Sequence, residues 1–379
     1  MGLLQDLKDI VFGKPDGLDA VEQEKPDLIK FNIKAEINPP EKPEPEPEKQ
    51  QEYKRPQRLA DFIGNSSIKG QLETMVRAVS KTNKRVPNIL FFGHAGTGKT
   101  TLSKIVSNEA NQPCLTITGN TVTNQSELMS IIFKLQDLKA QTGKPPILFI
   151  DEINSVTRAK DLDQTIWLPL IEDFVFYNNL EGKTIEHGGG LWRINTGEYN
   201  TPEFTIIGAT TNIADLHPAM RRRFPLQFFM KPYTVEELQQ ILLQYAGKLN
   251  MPLPEEAALN IARRSRFTPA TALSLLETCE YYQIGNDLPA INSDVVNKQM
   301  ELAGVDKEGL KWEDTEVLKT LAEFPKGLGC KNLSGTAGIP QDILEEIVEP
   351  FLKAKKLMCV TNKRIITQAG LEYIQKGGC

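Results

Sequence analysis

The stretch ILFFGHAGTGKTTL (residues 89–102) sets an apolar run directly against a glycine-rich turn that ends in Lys99, Thr100 and Thr101. Gly93 to Thr100 satisfies the spacing GxxxxGK[ST] between an expected strand and an expected helix, the setting in which that spacing binds phosphate. Gly93, Gly96 and Gly98 let main-chain N–H groups curl around phosphate oxygens without side-chain collisions. Lys99 can reach the β- and γ-phosphates, Thr100 can ligate Mg²⁺, and Thr101 follows in the first turn of a helix whose dipole favours an anion. The expected cofactors are ATP and Mg²⁺.

A second run, ILFIDE (147–152), ends in two carboxylates. Asp151 at a strand end can hold the metal through its coordination shell, and Glu152 can orient or deprotonate the attacking water. The run EFTIIGATTN (203–212) supplies another buried strand closed by polar residues, of which Thr211 is the candidate to touch the γ-phosphate or the water. MRRRF (220–224) is ambiguous by itself. Its arginines suit a solvated surface or a phosphate contact, and one supplied to a neighbour's nucleotide would accelerate hydrolysis by roughly 10³–10⁵.

Working outward, short apolar runs without alternation predict strands covered on both faces. Between them SELMSIIFKLQ (126–136) places Leu128, Ile131, Ile132 and Leu135 on one helical face. Strands alternating with helices predict an α/β domain with a parallel sheet over residues 53–232. Thr234 and Glu237 form an expected capping box that opens a helical unit over 233–303. From 304 to 379 a helix, a turn, the helix PQDILEEIVEPFLKAKKL (340–357) and short extended runs around TNKR predict a winged helix. Residues 1–52, rich in Pro and Glu, read as an acidic tail without a fold of its own.

The net charge of −5 resides in that tail: residues 1–50 carry 12 Asp/Glu against 7 Lys, and the remaining 329 residues carry 37 of each sign. A neutral body leaves nucleic-acid binding to local patches. The five cysteines are scattered and histidines number three, which argues against a zinc site or a disulfide framework and suits a reducing cytoplasm. No run is long and apolar enough for a membrane span.

Taken in order, RPQRLADFIGNSSIKGQL, LFFGHAGTGKTTL, ILFIDEIN, LIEDF, FTIIGATTN, RRRF, YTVEEL, IARRSRFTP and IVEPFL resemble the RuvB family over residues 53–375. These are AAA+ motors that drive Holliday-junction branch migration. The resemblance implies an AAA+ P-loop core with a parallel sheet, a small helical lid and a C-terminal winged helix, assembled as a homo-oligomeric ring, a hexamer, acting on duplex or four-way-junction DNA. It implies that Lys54, Arg55, Phe62 and Ile63 flank the adenine, that Tyr233 lies near the base and that Thr211 is sensor 1. Glu172, Asp173 and Phe174 match a segment near the nucleotide, and Arg221 and Arg223 match two arginines of which one acts in trans. Lys363 and Arg364 match the DNA-binding wing, and the hairpin 174–204 matches the element that binds a RuvA-like junction protein.

The chain departs from the family at several positions. Ala270 stands where the sensor-2 arginine is expected, so either Arg263, Arg264 or Arg266 substitutes or the lid follows the nucleotide only weakly, and the second reading is preferred. Asn154 replaces a histidine, Val360 replaces a wing cation, and the hairpin is longer than usual. The alternative to a translocating motor is an AAA+ loader or switch acting on a replication protein.

Overall fold

The computed structural model describes residues 55–82, 84–156, 162, 164–180, 182–188, 190–194 and 196–376. The expected acidic tail and Lys54 lie outside them. In chain order the first part contains α1 (Ser66–Thr82), β1 (Ile89–Phe92), α2 (Lys99–Ala110), β2 (Cys114–Thr118), α3 (Gln125–Thr142), β3 (Ile147–Asp151) and α4 (Gln164–Glu172). The hairpin region follows with β4 (Val175–Asn178), β5 (Thr184–His187), β6 (Gly190–Arg193) and β7 (Gly197–Asn200), then β8 (Thr205–Thr210), α5 (Pro218–Arg221) and β9 (Leu226–Phe229).

The main sheet has the order β2-β3-β8-β1-β9, with every pairing parallel. β8 is buried along its whole length. Helices cover both faces of such a sheet, which is why these strands read as unbroken apolar runs. α3 buries Leu128, Ile131, Ile132 and Leu135, the stripe expected from its spacing. Its N-cap Asn124 accepts from Glu127 N–H at 3.0 Å. The long hairpin is two antiparallel ribbons in series, β4 with β7 and β5 with β6.

The second part comprises α6 (Val235–Lys248), α7 (Glu255–Arg263), α8 (Pro269–Gly285) and α9 (Ser293–Leu302). The capping box at α6 forms as expected: Glu237 N–H donates to Thr234 Oγ1 at 3.2 Å and Thr234 N–H donates to Glu237 Oε2 at 2.9 Å. These helices have no separate core. One continuous apolar cluster joins Phe62, Leu72, Phe91 and Phe149 to Tyr233, Leu242, Ile261 and Leu276. A second cluster fills the other face of the sheet under α3, α4 and the hairpin.

The third part contains α10 (Trp312–Glu323), α11 (Cys330–Ala337), α12 (Gln341–Ile343), α13 (Glu349–Ala354), the antiparallel wing of β10 (Met358–Val360) and β11 (Arg364–Ile366), and α14 (Gln368–Gln375), around its own core. The helix expected over 340–357 is interrupted by a π turn, Leu344–Val348. Pro350 has no N–H to give to the Glu346 carbonyl, so the hydrogen-bond ladder slips by one residue there.

The turn after β2 abuts the turn after β3. A Cβ on Gly119 would lie 2.4 Å from the main-chain oxygen of Glu152. We expect Gly119→Ala to destabilise the protein by about 1–3 kcal/mol, the usual cost of overpacking against a fixed neighbour. The urea midpoint measures this, and an unchanged midpoint would show that the Glu152 turn yields freely.

Candidate nucleotide site

Because β8 lies between β1 and β3, three strand ends converge on one edge of the sheet: the P-loop after Phe92, Thr210 and Thr211 after β8, and Asp151 with Glu152 after β3. Gly93 N–H donates to the Thr210 carbonyl at 3.3 Å, tying the first two together. Lys99 is buried, and its Nζ donates to the Gly93 and His94 carbonyls at 2.8 Å each. Burial pushes its pKa down from 10.5 to about 8, with Asp151 pulling the other way. A buried ammonium that donates to two neutral carbonyls fits an anionic ligand. Thr101 is half-buried in the first turn of α2.

Thr100 Oγ1 donates to Asp151 Oδ2 at 3.3 Å, so a hydroxyl and a carboxylate stand side by side. Both are oxygen ligands of the kind Mg²⁺ takes, and the pair fits that ion. Glu152 sits at φ +52 with its side chain exposed, and its N–H donates to Asp151 Oδ1 at 3.1 Å. A left-handed, non-glycine residue at the end of a strand is strained and is held by its neighbours. Ser155 N–H donates to its carbonyl at 2.8 Å. Thr210, rather than Thr211, is buried here, and its hydroxyl lies 2.8 Å from Asn154 Oδ1. The unexpected Asn154 thus joins the turn after β3 to the end of β8. Thr211 is exposed beside it.

The lid closes over the P-loop through rings and main chain. Tyr233 is buried, its hydroxyl donates to the Thr97 carbonyl at 3.1 Å, and burial raises its pKa. Phe62 packs under Gly98, and half-buried Ile63 leads into Gly64, which lies against the Tyr233 ring. Arg55 is exposed on the segment leading to them. Ala270 N–H donates to the Gly96 carbonyl at 3.3 Å. Gly96 has φ +75, and a Cβ there would lie 2.8 Å from the Ala270 Cβ. The lid therefore touches the loop directly at Ala270, without a charge. Of the candidate substitutes, Arg264 donates to Asp306 O at 2.9 Å and Arg266 to Asp314 at 2.6 Å, so both are committed elsewhere. Arg263 is exposed at the end of α7.

Glu172, Asp173, Phe174, Arg221 and Arg223 form a second group at the opposite edge of the sheet. α4 runs back from the β3 end toward the strand starts, so Glu172 finishes far from the P-loop that its own chain carries. Arg223 precedes β9, whose Leu226 is in register with Ile89 at the start of β1. Asn88 Nδ2 donates to the Arg223 carbonyl at 3.2 Å. Glu172, Asp173 and Phe174, expected near a nucleotide, thus stand away from the P-loop of their own chain. Arg223 Nε lies 2.6 Å from Glu172 Oε1 without the alignment of a hydrogen bond, so the contact is coulombic. No such pairing could be read from spacing.

In the wing, Lys363 is exposed at the tip. Arg364 is turned inward: its Nε donates to Glu349 Oε1 at 2.6 Å, and Nη2 lies 3.6 Å from Glu345. The hydrogen bond to Glu349 raises its pKa further. A phosphate reaching it would have to compete with these two carboxylates. Asp342, Glu345 and Glu346 are all exposed on the preceding helix. That surface repels phosphate.

Comparison with known proteins follows the same division. Residues 54–230 match the Holliday junction DNA helicase RuvB P-loop domain, 233–306 the RuvB AAA lid domain, and 307–375 the RuvB C-terminal winged helix domain. The Holliday junction branch migration complex subunit RuvB of Synechocystis sp. is 32% identical over 352 residues, covering 90% of this chain and 92% of that protein. The corresponding subunit of Nitratiruptor sp. is 33% identical over 301 residues, covering 79% and 84%. The solved Thermotoga maritima RuvB Holliday junction branch migration motor superposes with a TM-score of 0.71 at 28% identity, covering 85% of this chain and 98% of that one.

The Lys99 shift has a consequence for binding. Between about pH 8 and 10.5 the unfolded chain holds a proton that the folded site has lost, so this group's contribution to stability rises with pH across that window. Its hold on phosphate falls over the same range. Nucleotide should restore the proton, so ATP binding near pH 8 is expected to take up about half a proton. Calorimetry in buffers of different ionisation heat measures this. Lys99→Ala should bind ATP weakly and without uptake, and equal uptake in that variant would assign the proton to another group.

Proposed function

We propose that this chain, which belongs to the RuvB family, is an ATP-driven branch-migration motor that moves four-way-junction DNA. The observation that carries the reading is the convergence of Lys99, Thr100, Asp151, Glu152 and Thr211 on one sheet edge while Arg221 and Arg223 stand on the other. Neither of these two arginines stands at its own chain's P-loop edge, and a neighbouring subunit is a natural source of the contact. That favours a homo-oligomeric ring, a hexamer, over a self-contained switch.

Within the site, Gly93, Gly96 and Gly98 cradle the phosphates and Lys99 balances their charge. Thr100 and Asp151 would hold Mg²⁺, which would supply further neutralisation of the phosphate charge. Glu152 accepts the proton of the attacking water or holds that water in line. Thr211 and Asn212 are the polar groups nearest the end of β8, and Asn154 fixes that end through Thr210. Phe62, Ile63 and Tyr233 line the side toward the base. Arg223, held in place by Glu172, and Arg221 are the two candidates for the trans contact; Asp173 and Phe174 would then face the neighbour's nucleotide.

On the DNA side, Lys363 is the wing's phosphate contact. The hairpin 174–204 offers a surface for a RuvA-like junction-binding protein. It rests on α3 through His187, whose Nε2 lies 2.8 Å from Asp137, and it exposes Leu191 near its tip.

Four-way-junction DNA should stimulate ATP hydrolysis more than linear duplex does. Glu152→Gln should bind ATP as the parent does while turnover falls by about 10²–10⁴. Lys363→Glu should keep basal hydrolysis and lose the junction's stimulation. Parental turnover in Glu152→Gln would end the assignment of that residue, and equal response to all DNA forms would end the junction reading.

The divided site predicts complementation. Arg221→Ala and Arg223→Ala, tested separately, should include one variant whose turnover falls by roughly 10³–10⁵ although it binds ATP. Mixing that variant with Lys99→Ala subunits should recover activity, because an intact P-loop then meets an intact arginine. No recovery on mixing, with rings formed, would place the arginine in cis.

A further inference from the structure

The loop that follows α7 contains the one adjacent pair of non-glycine residues in the left-handed region among the described residues, Arg266 at φ +51 and Phe267 at φ +60. Such a pair persists only where the surroundings hold it. Phe267 accepts at its carbonyl from Tyr233 N–H at 3.0 Å, and Tyr233 is the residue that bonds Thr97 of the P-loop. Immediately beyond the pair come Thr268, which caps α8, and Ala270, which donates to Gly96. The bend is therefore tied to the P-loop on both sides.

Its other attachment is the winged helix. Arg266 Nη1 and Nη2 donate to the two carboxylate oxygens of Asp314 at 2.6 and 3.1 Å, and Nη2 also donates to the Ile347 carbonyl at 2.9 Å. The guanidinium lies 4.0 Å over the Phe351 ring. The two side chains are 12% and 1% exposed, so this is a buried, fork-shaped pair rather than a surface contact. Asp314 also accepts from Lys311 N–H at 2.9 Å, the cap that starts α10. Phe267 packs on Phe351 with ring centroids 6.0 Å apart. A cleft of about 420 Å³ separates His94, Ala95 and Thr97 from Ile347 and Phe351, so the two parts meet through this bend while the cleft leaves them room to move.

We propose that Arg266 is a positioning residue that transmits the state of the P-loop to the winged helix, the coupling that Ala270 cannot supply by reaching the phosphates itself. Phosphate entering the cradle displaces the Gly96 main chain. The hydrogen bond from Ala270 N–H to the Gly96 carbonyl passes that displacement into the start of α8 and the left-handed pair, and the Arg266 fork carries it to the caps of α10 and to the π turn. A bidentate fork suits this role because it resists rotation as well as separation. The inference rests on nucleotide binding in the proposed function and does not depend on DNA.

Hydrogen exchange on the full chain, with and without a slowly hydrolysed ATP analogue, tests it. In the parent protein nucleotide should slow exchange in P-loop peptides and change it by about 3-fold or more in peptides covering 311–316 and 344–354. Arg266→Lys keeps the charge and loses the fork; it should bind the analogue within about 2-fold of the parent and lose most of the remote response. Asp314→Asn, which retains an acceptor for the α10 cap, and Phe267→Gly, which relieves the backbone while removing the ring, should lose it as well. A helix that responds equally in all three variants would overturn the proposal, as would a parent protein whose P-loop responds while 344–354 does not. If the P-loop itself fails to respond, nucleotide binding is at fault, and the proposal falls with it. Circular dichroism on each variant separates loss of coupling from loss of fold, and a silent helix in a folded variant that binds nucleotide supports the fork.

Discussion

The parallel register of β1, β8 and β3 is the constraint on which the rest of this structure depends. Parallel pairing sends every strand out of the sheet at the same edge, and crossover helices return the chain to the other. With β8 in the middle, phosphate-binding glycines, a polar strand end and two carboxylates meet without any of them being near in sequence. The same rule delivers the ends of α4 and α5 to the far edge. Glu172 and Arg223 are therefore separated from the P-loop by the length of the strands, whatever their chemistry.

The lid is attached to the P-loop by packing and main-chain hydrogen bonds. Tyr233 against Thr97, Ala270 against Gly96 and the shared apolar cluster make the helical unit continuous with the P-loop face of the sheet. Glycine at position 96 is required twice over, by its left-handed backbone and by the close approach of Ala270. An apolar attachment has no charge with which to read phosphate. It senses shape, through displacement of main chain, and that is the property the Arg266 fork is built to pass on.

Ion pairs in this chain act as positioning devices more than as a reserve of stability. Breaking a buried pair by removing one partner leaves an uncompensated charge, a loss of about 3–5 kcal/mol, although the intact pair need not be worth that much. Arg266 with Asp314 sets the attitude of the winged helix, and Arg364 with Glu349 closes the wing onto its own helix. The latter draws one cation of the wing inward, while Lys363 stays exposed at the tip.

What the sequence determined by itself is what local spacing can encode. The GxxxxGK[ST] turn, the carboxylates ending β3, the α3 stripe and the Thr234–Glu237 box are each written within one element or its cap, where period and hydrogen-bond reach are fixed by backbone geometry. They were sufficient for the fold class and for the residues at the β1 and β3 ends. Only the tertiary structure decided the rest. Arg266 meets Asp314 across 48 positions, and Thr210 meets Asn154 across 56. Arg364 turns to Glu349 instead of outward, and Pro350 converts an expected helix into a π turn. None of these has a periodic signature, because a side chain's partner across the fold is set by strand register, helix direction and the space left between packed elements.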